Sequence, residues 1–120
     1  MKILKVKGVK IGGFHYSVDY VPTSFDMGAM NRIGECDYIN QKISIHEHLH
    51  PDQQIEVFLH EIVHAMIKTY DIPMPEDEDT EEQIVEMFGK ALLQVFMDNK
   101  LLNPVIFSTP KVAQKKKEVE

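Results

Sequence analysis

At Pro51 the spacing of apolar residues changes period, and that change decides which folds are open to the chain. Upstream the period is two. Leu4 and Val6 alternate with lysines, and Val9 and Ile11 resume the pattern after Gly8, where a bulge or tight turn fits. Gly12-Gly13 marks a turn. Phe14, Tyr16, Val18 and Tyr20 then alternate with His15, Ser17 and Asp19, as in a half-buried strand with an aromatic inner face. Residues 22–31, opening on Pro22 and containing Gly28, read as a loop. Ile33–Ile39 and Ile43–Leu49 read as two further strands, with Asn40-Gln41 in the turn between them. Downstream of Pro51 the spacing is helical: Ile55, Phe58, Leu59, Ile62, Val63, Met66 and Ile67 recur between Asp52 and Tyr70. Pro73 and Pro75 enforce a break. A second helix follows from about Thr80 to Asn99, with a T-x-x-Q capping box at Thr80 and Gln83 and a core stripe of Ile84, Phe88, Leu92, Val95 and Phe96. Strands followed by helices give an α+β class, a small N-terminal antiparallel or mixed sheet and then two packed helices.

The chain has 120 residues, enough for one core and one domain, read here as residues 1–110. Val105-Ile106-Phe107 reads as a short strand or packed tail, and residues 111–120 as a disordered basic tail. A net charge of −6 argues against binding to nucleic-acid phosphates. The acidic run Glu76-Asp77-Glu78-Asp79-Thr80-Glu81-Glu82 and the basic Lys115-Lys116-Lys117 read first as solvated surface. Cys36 is the only cysteine, so an intramolecular disulfide is excluded and a reducing compartment fits. Lysines interrupt the N-terminus too often for a secretory signal, and no apolar run approaches the roughly 18 residues needed to span a bilayer. The expectation is a cytoplasmic protein with no membrane or nucleic-acid partner.

His60-Glu61-Ile62-Val63-His64 reads H-E-x-x-H in the middle of the first amphipathic helix. Residues i and i+4 lie one above the other on one helix face, so two imidazoles converge on one metal ion. Glu61 projects about 100° around the axis, beside the metal and within reach of a metal-bound water. His46-Glu47-His48-Leu49-His50 matches the same expression, but it continues an alternating segment and abuts Pro51. On a strand, His46, His48 and His50 share one face and Glu47 the other, which cannot reproduce the helical site. Those histidines read as a solvated or rim-lining face able to contact substrate.

A catalytic zinc takes three protein ligands and leaves one position for water. Cys36 and the carboxylates Glu81, Glu82 and Glu86 are the candidates for the third. Glu82, Glu86, Gly89 and Leu93 lie on one helical stripe, and Gly89 lets that stripe come close to the first helix. This favours Glu82 as ligand, with Glu86 as acceptor for a ligand histidine N–H.

Three stretches together resemble the gluzincin metallopeptidases, and among them the ImmA/IrrE-like family with its small phage- and prophage-encoded proteins. They are Gln41–Ile45, Val57–Met66 and Glu81–Leu92, in that order, within residues 35–98. The family pattern has a glutamate six residues before an aromatic or aliphatic core residue, here Glu82 before Phe88. Ile62-Val63 stands where members often carry glycine, and Gly89 where alanine often follows Phe. The resemblance implies a minimal zincin-like fold and one Zn2+. It carries over no particular protein substrate.

The function expected from these residues is peptide-bond hydrolysis by a zinc-activated water, with Glu61 as general base. Tyr38, Tyr70, His46 and His48 are candidates for the oxyanion or the substrate rim. A peptide is expected to pair along residues 43–49, with the acidic run favouring a basic segment. The competing expectation is a non-catalytic zinc-binding interaction or regulatory protein, which needs His60, His64 and Glu82 but not Glu61.

Overall fold

The computed structural model describes residues 3–22, 33–99, 101 and 107–108. Most of the loop read at 22–31 and the whole of the basic tail lie outside these residues, as do Val105 and Ile106. Six strands and two helices follow in the order β1 (Ile3–Leu4), β2 (Gly8–Ile11), β3 (Phe14–Val21), β4 (Gly34–Asp37), β5 (Lys42–His46), α1 (Pro51–Tyr70), α2 (Glu78–Asp98) and β6 (Phe107–Ser108). β1 and β6 form a two-stranded antiparallel pair, so Phe107 does belong to a short strand. The main sheet has the order β2-β3-β5-β4. β3 and β5 run parallel and the outer pairs antiparallel, which makes it a mixed sheet. The chain is therefore α+β, a small N-terminal sheet followed by two packed helices.

Local chemistry sets most of the corners. Gly12 and Gly13 take φ of +59° and +87°, which gives the two-residue hairpin between β2 and β3 the left-handed backbone it needs. A Cβ on Gly12 would also collide with Thr69 at the end of α1. Between β4 and β5, the Asp37 carboxylate accepts from the side chain and backbone N–H of Asn40 at 2.9 and 3.1 Å, and Gln41 takes φ of 53°. Gly8 opens β2 and faces Ser17 across the ladder, so it begins a strand rather than bulging one.

The core lies between the sheet and α1. Ile11, Tyr16, Val18, Ile43 and Ile45 point down from the sheet, and Ile55, Val57, Phe58, Leu59 and Ala65 meet them from the helix. Ile43 and Ile45 are wholly buried, each worth about 1.5–3 kcal/mol by area removed from water. Phe14, expected on the inner face, is half exposed at the hairpin end.

Three expectations need correction. β5 stops at His46 because its parallel partner ends there: Val21 pairs with His46 and β3 goes no further. Residues 47–49 turn away, and His50 becomes the N-cap of α1, its Nδ1 accepting from the Asp52 N–H at 3.3 Å while Gln53 Oε1 accepts from the His50 N–H. His46, His48 and His50 therefore do not share a strand face. At the second helix, Asp77 is the cap, not Thr80. Its carboxylate accepts from the Asp79 N–H and from the Thr80 hydroxyl, consistent with the stronger capping preference of aspartate. Finally, α2 packs only on α1 among the described elements, so it buries a narrow stripe: Val85 and Gly89, then Leu93 and Phe96. Phe88 and Val95, expected in the core, are 54% and 49% exposed.

Candidate metal centre

On α1 the residues Gln54, Val57, Glu61 and Ala65 form a buried stripe facing the sheet. His60 and His64 stand about a quarter-turn away from it, in the crevice between α2 and β4. Gly89 lies against the backbone of His60, and Glu82, about two turns earlier in α2, reaches the imidazole of His64. Rising numbers on one helix thus meet falling numbers on the other: the helices are antiparallel.

The structure brings His60, His64 and Glu82 together, one donor atom from each lying within 4.8 Å of the others. His60 Nε2 is 2.7 Å from Glu82 Oε1, His64 Nε2 is 3.2 Å from Glu82 Oε2, and the two Nε2 atoms are 3.2 Å apart. A tetrahedron of zinc bonds of 2.0–2.1 Å has edges of about 3.3 Å, so the spacing of these donors fits one ion. Two imidazoles and one carboxylate are also the donor set zinc favours. The histidine side chains are 16% and 15% exposed, while Glu82 closes the group from the solvent side.

Glu86 Oε2 is 3.2 Å from His60 Nδ1, the ring nitrogen turned away from the cluster, and Lys90 Nζ is 3.3 Å from the other Glu86 oxygen. Glu81 Oε2 approaches His64 Nδ1 at 3.9 Å. Glu61 is outside the three-donor group and only 7% exposed. Its carboxylate lies under Gly34 of β4, where an added Cβ would stand 3.2 Å from its Oε2 and would collide with Val57. All of these groups except Glu81 open into one cleft of about 470 Å³, floored by α1 and walled by α2 and the start of β4.

The remaining sequence candidates lie elsewhere. Cys36 packs against the core beside Glu61, outside the three-donor group and the cleft, and burial pushes its thiol up to about 12. Tyr38 sits in the turn after β4 with Lys68 Nζ 5.8 Å over its ring, its phenol raised chiefly by burial. Tyr70 is exposed next to Gly12 at the far end of α1. His46 ends β5, its buried Nε2 without a hydrogen-bond partner among the described residues. His48 pairs with Glu47 in solvent. None of these lines the cleft. The residues that do, and that spacing did not single out, include Ile33, Gly34, Glu56, Glu78, Asp79 and Lys90. Glu56, a turn before His60 on the same face, carried a signal. The others depend on where α2 and β4 dock.

β5 is not available to a peptide, since β3 and β4 occupy both its edges over Lys42–His46. β4 has its outer edge free among the described residues. His46 N–H donates to Ile33 O, so by the alternation of an antiparallel ladder Gly34 and Cys36 direct their N–H and C=O groups to that free edge.

No helix is long and apolar enough to cross a membrane among the described residues. No family model matches the chain, and no curated protein or solved structure matches it.

Proposed function

We propose that this protein is a zinc-dependent peptidase. The observation that carries the reading is the pairing of an unsealed three-donor cluster, His60, His64 and Glu82, with a buried carboxylate, Glu61, on the adjoining stripe of the same helix and facing the same cleft. A metal that serves structure alone gains nothing from a further, non-coordinating carboxylate buried beside it. Zinc bound by these ligands acidifies a water and polarises a carbonyl.

The chain's own residues supply the rest. Glu82 and the two histidines hold the ion, and Glu86 orients His60 through its Nδ1. Glu61 accepts the proton of the attacking water and returns it to the leaving amine. The free edge of β4 offers Gly34 and Cys36 as backbone partners for an extended peptide passing over Glu61, in place of the path along residues 43–49.

The test compares the tag-free wild type with Glu61→Gln. The expected result is one zinc per chain in both proteins and cleavage of a peptide library by the wild type alone. If both hold zinc and neither cleaves, the peptidase reading fails, and a non-catalytic zinc-binding protein is left.

A further inference from the structure

Six carboxylates line the cleft, from Glu56, Glu61, Glu78, Asp79, Glu82 and Glu86, against the one ammonium of Lys90. Glu61, Glu82 and Glu86 have roles at the cluster. Glu56, Glu78 and Asp79 have no ion pair among the described residues. The positive end of a helix accounts for acids in the first turn of α2, which holds Glu78 and Asp79. It does not account for Glu56, in the second turn of α1. Even with a divalent cation bound, six carboxylates against one ammonium leave the lining three negative charges in excess. Such a wall repels itself within a Debye length, and a cationic group entering the cleft relieves that repulsion.

The two acidic places flank the cluster. Because the helices are antiparallel, Glu56 stands one turn before His60, and the first turn of α2, with Glu78 and Asp79, stands at the His64 end. The free edge of β4 runs into the same cleft at Ile33 and Gly34, and it is the feature that points to an extended peptide rather than to a small cation.

We propose that the cleft selects peptides carrying lysine or arginine near the segment laid over the cluster, with Glu56 and the Glu78–Asp79 pair as the specificity-determining residues. The choice of a peptide rests on the peptidase reading; the preference for cationic side chains rests on the lining itself.

The test uses the full chain with one equivalent of zinc and two fluorescein-labelled decapeptides, identical except for three lysines in one and three glutamates in the other. Anisotropy is expected to give at least about tenfold tighter binding of the lysine peptide at ~20 mM NaCl, a preference that collapses by ~500 mM as the charges are screened. The double variant Glu78→Gln/Asp79→Asn is expected to weaken lysine-peptide binding about fivefold, whereas Asp98→Asn, which removes a charge at the opposite end of α2, is expected to leave it unchanged. Equal affinity for the two peptides overturns the proposal. So does an Asp98→Asn effect as large as that of the double variant, which would assign the preference to net charge. A separate zinc titration in which the wild type binds a second equivalent and the double variant does not also overturns it, by giving the acidic wall to another ion. The two readings fail separately. Cleavage of both peptides at equal rates leaves the peptidase and removes the selectivity. Salt-dependent binding of the lysine peptide without cleavage of any peptide does the reverse.

Discussion

Glu86 Oε2 lies 3.2 Å from Nδ1 of His60, so the imidazole is held from behind while its Nε2 faces Glu82. A carboxylate in that position accepts the Nδ1–H, which leaves the Nε2 lone pair for a metal and fixes the plane of the ring. Glu86→Ala is therefore expected to weaken zinc binding by about 10–100-fold without loss of fold, and Glu86→Gln by less, since an amide oxygen still accepts. Competition with a chromophoric chelator measures this. Affinity unchanged in Glu86→Ala would mean that His60 is oriented by packing alone.

Glu61 and Glu82 are expected to separate metal from chemistry. Glu82→Ala removes a donor of the cluster and should abolish stoichiometric zinc binding. Glu61→Gln keeps the shape of a buried side chain outside the cluster, so zinc binding should survive while hydrolysis falls by about 10²–10⁴-fold. Zinc content by mass spectrometry, set beside peptide turnover, decides the matter. Loss of zinc in Glu61→Gln would place Glu61 among the ligands.

The parts of this molecule legible in its sequence are those fixed by local geometry. A four-residue step on a helix puts His60 over His64 whatever surrounds it. The stripe Glu82–Glu86–Gly89 names the face of α2 that meets them, and Gly12-Gly13 can hardly be anything but a hairpin turn. What its sequence does not reveal depends on distant partners. β5 ends at His46 only because β3 ends at Val21. Phe88 and Val95 have helical spacing and apolar character, yet among the described elements α2 has one neighbour, and that neighbour covers Val85 and Gly89 instead. Gly34 falls within the strand expected at residues 33–39, but its close approach to Val57 and Glu61 shows only once that edge strand is laid across α1.

The two glycines of the site make opposite predictions. A Cβ on Gly89 stands 3.6 Å from His60 Cα and N, an ordinary contact, so the close approach of the helices does not itself demand glycine. Gly89→Ala should stabilise the protein by up to about 1 kcal/mol through the backbone entropy of a helical glycine. A Cβ on Gly34 runs into Val57 and presses on Glu61. Gly34→Ala should cost about 1–3 kcal/mol, partly recovered in Gly34→Ala/Val57→Ala. Denaturant melts of the four proteins test both halves. A destabilised Gly89→Ala would show that the helix crossing at His60 has no room even for an ordinary methyl contact.

Asp77 ties the second helix, and with it Glu82, to pH. Its carboxylate takes a hydrogen bond from the Thr80 hydroxyl at 2.6 Å and one from the Asp79 N–H at 3.2 Å, and these, the Thr80 side chain first, hold it below the ordinary aspartate range. The folded state therefore prefers the ionised form. The stabilisation is complete above the unfolded value near 3.9 and is lost as the pH falls through the lower folded value. Asp77→Asn keeps an oxygen that can cap the helix but has no proton to lose. It should lower the melting temperature slightly at neutral pH and flatten the acid limb of the stability curve below about pH 4. Asp77→Ala should lower the melting temperature at every pH and weaken zinc binding as well, because the turn that carries Glu82 frays. An acid limb unchanged in Asp77→Asn would assign the acid sensitivity to other carboxylates, with Asp37, held low by Asn40, the first to examine.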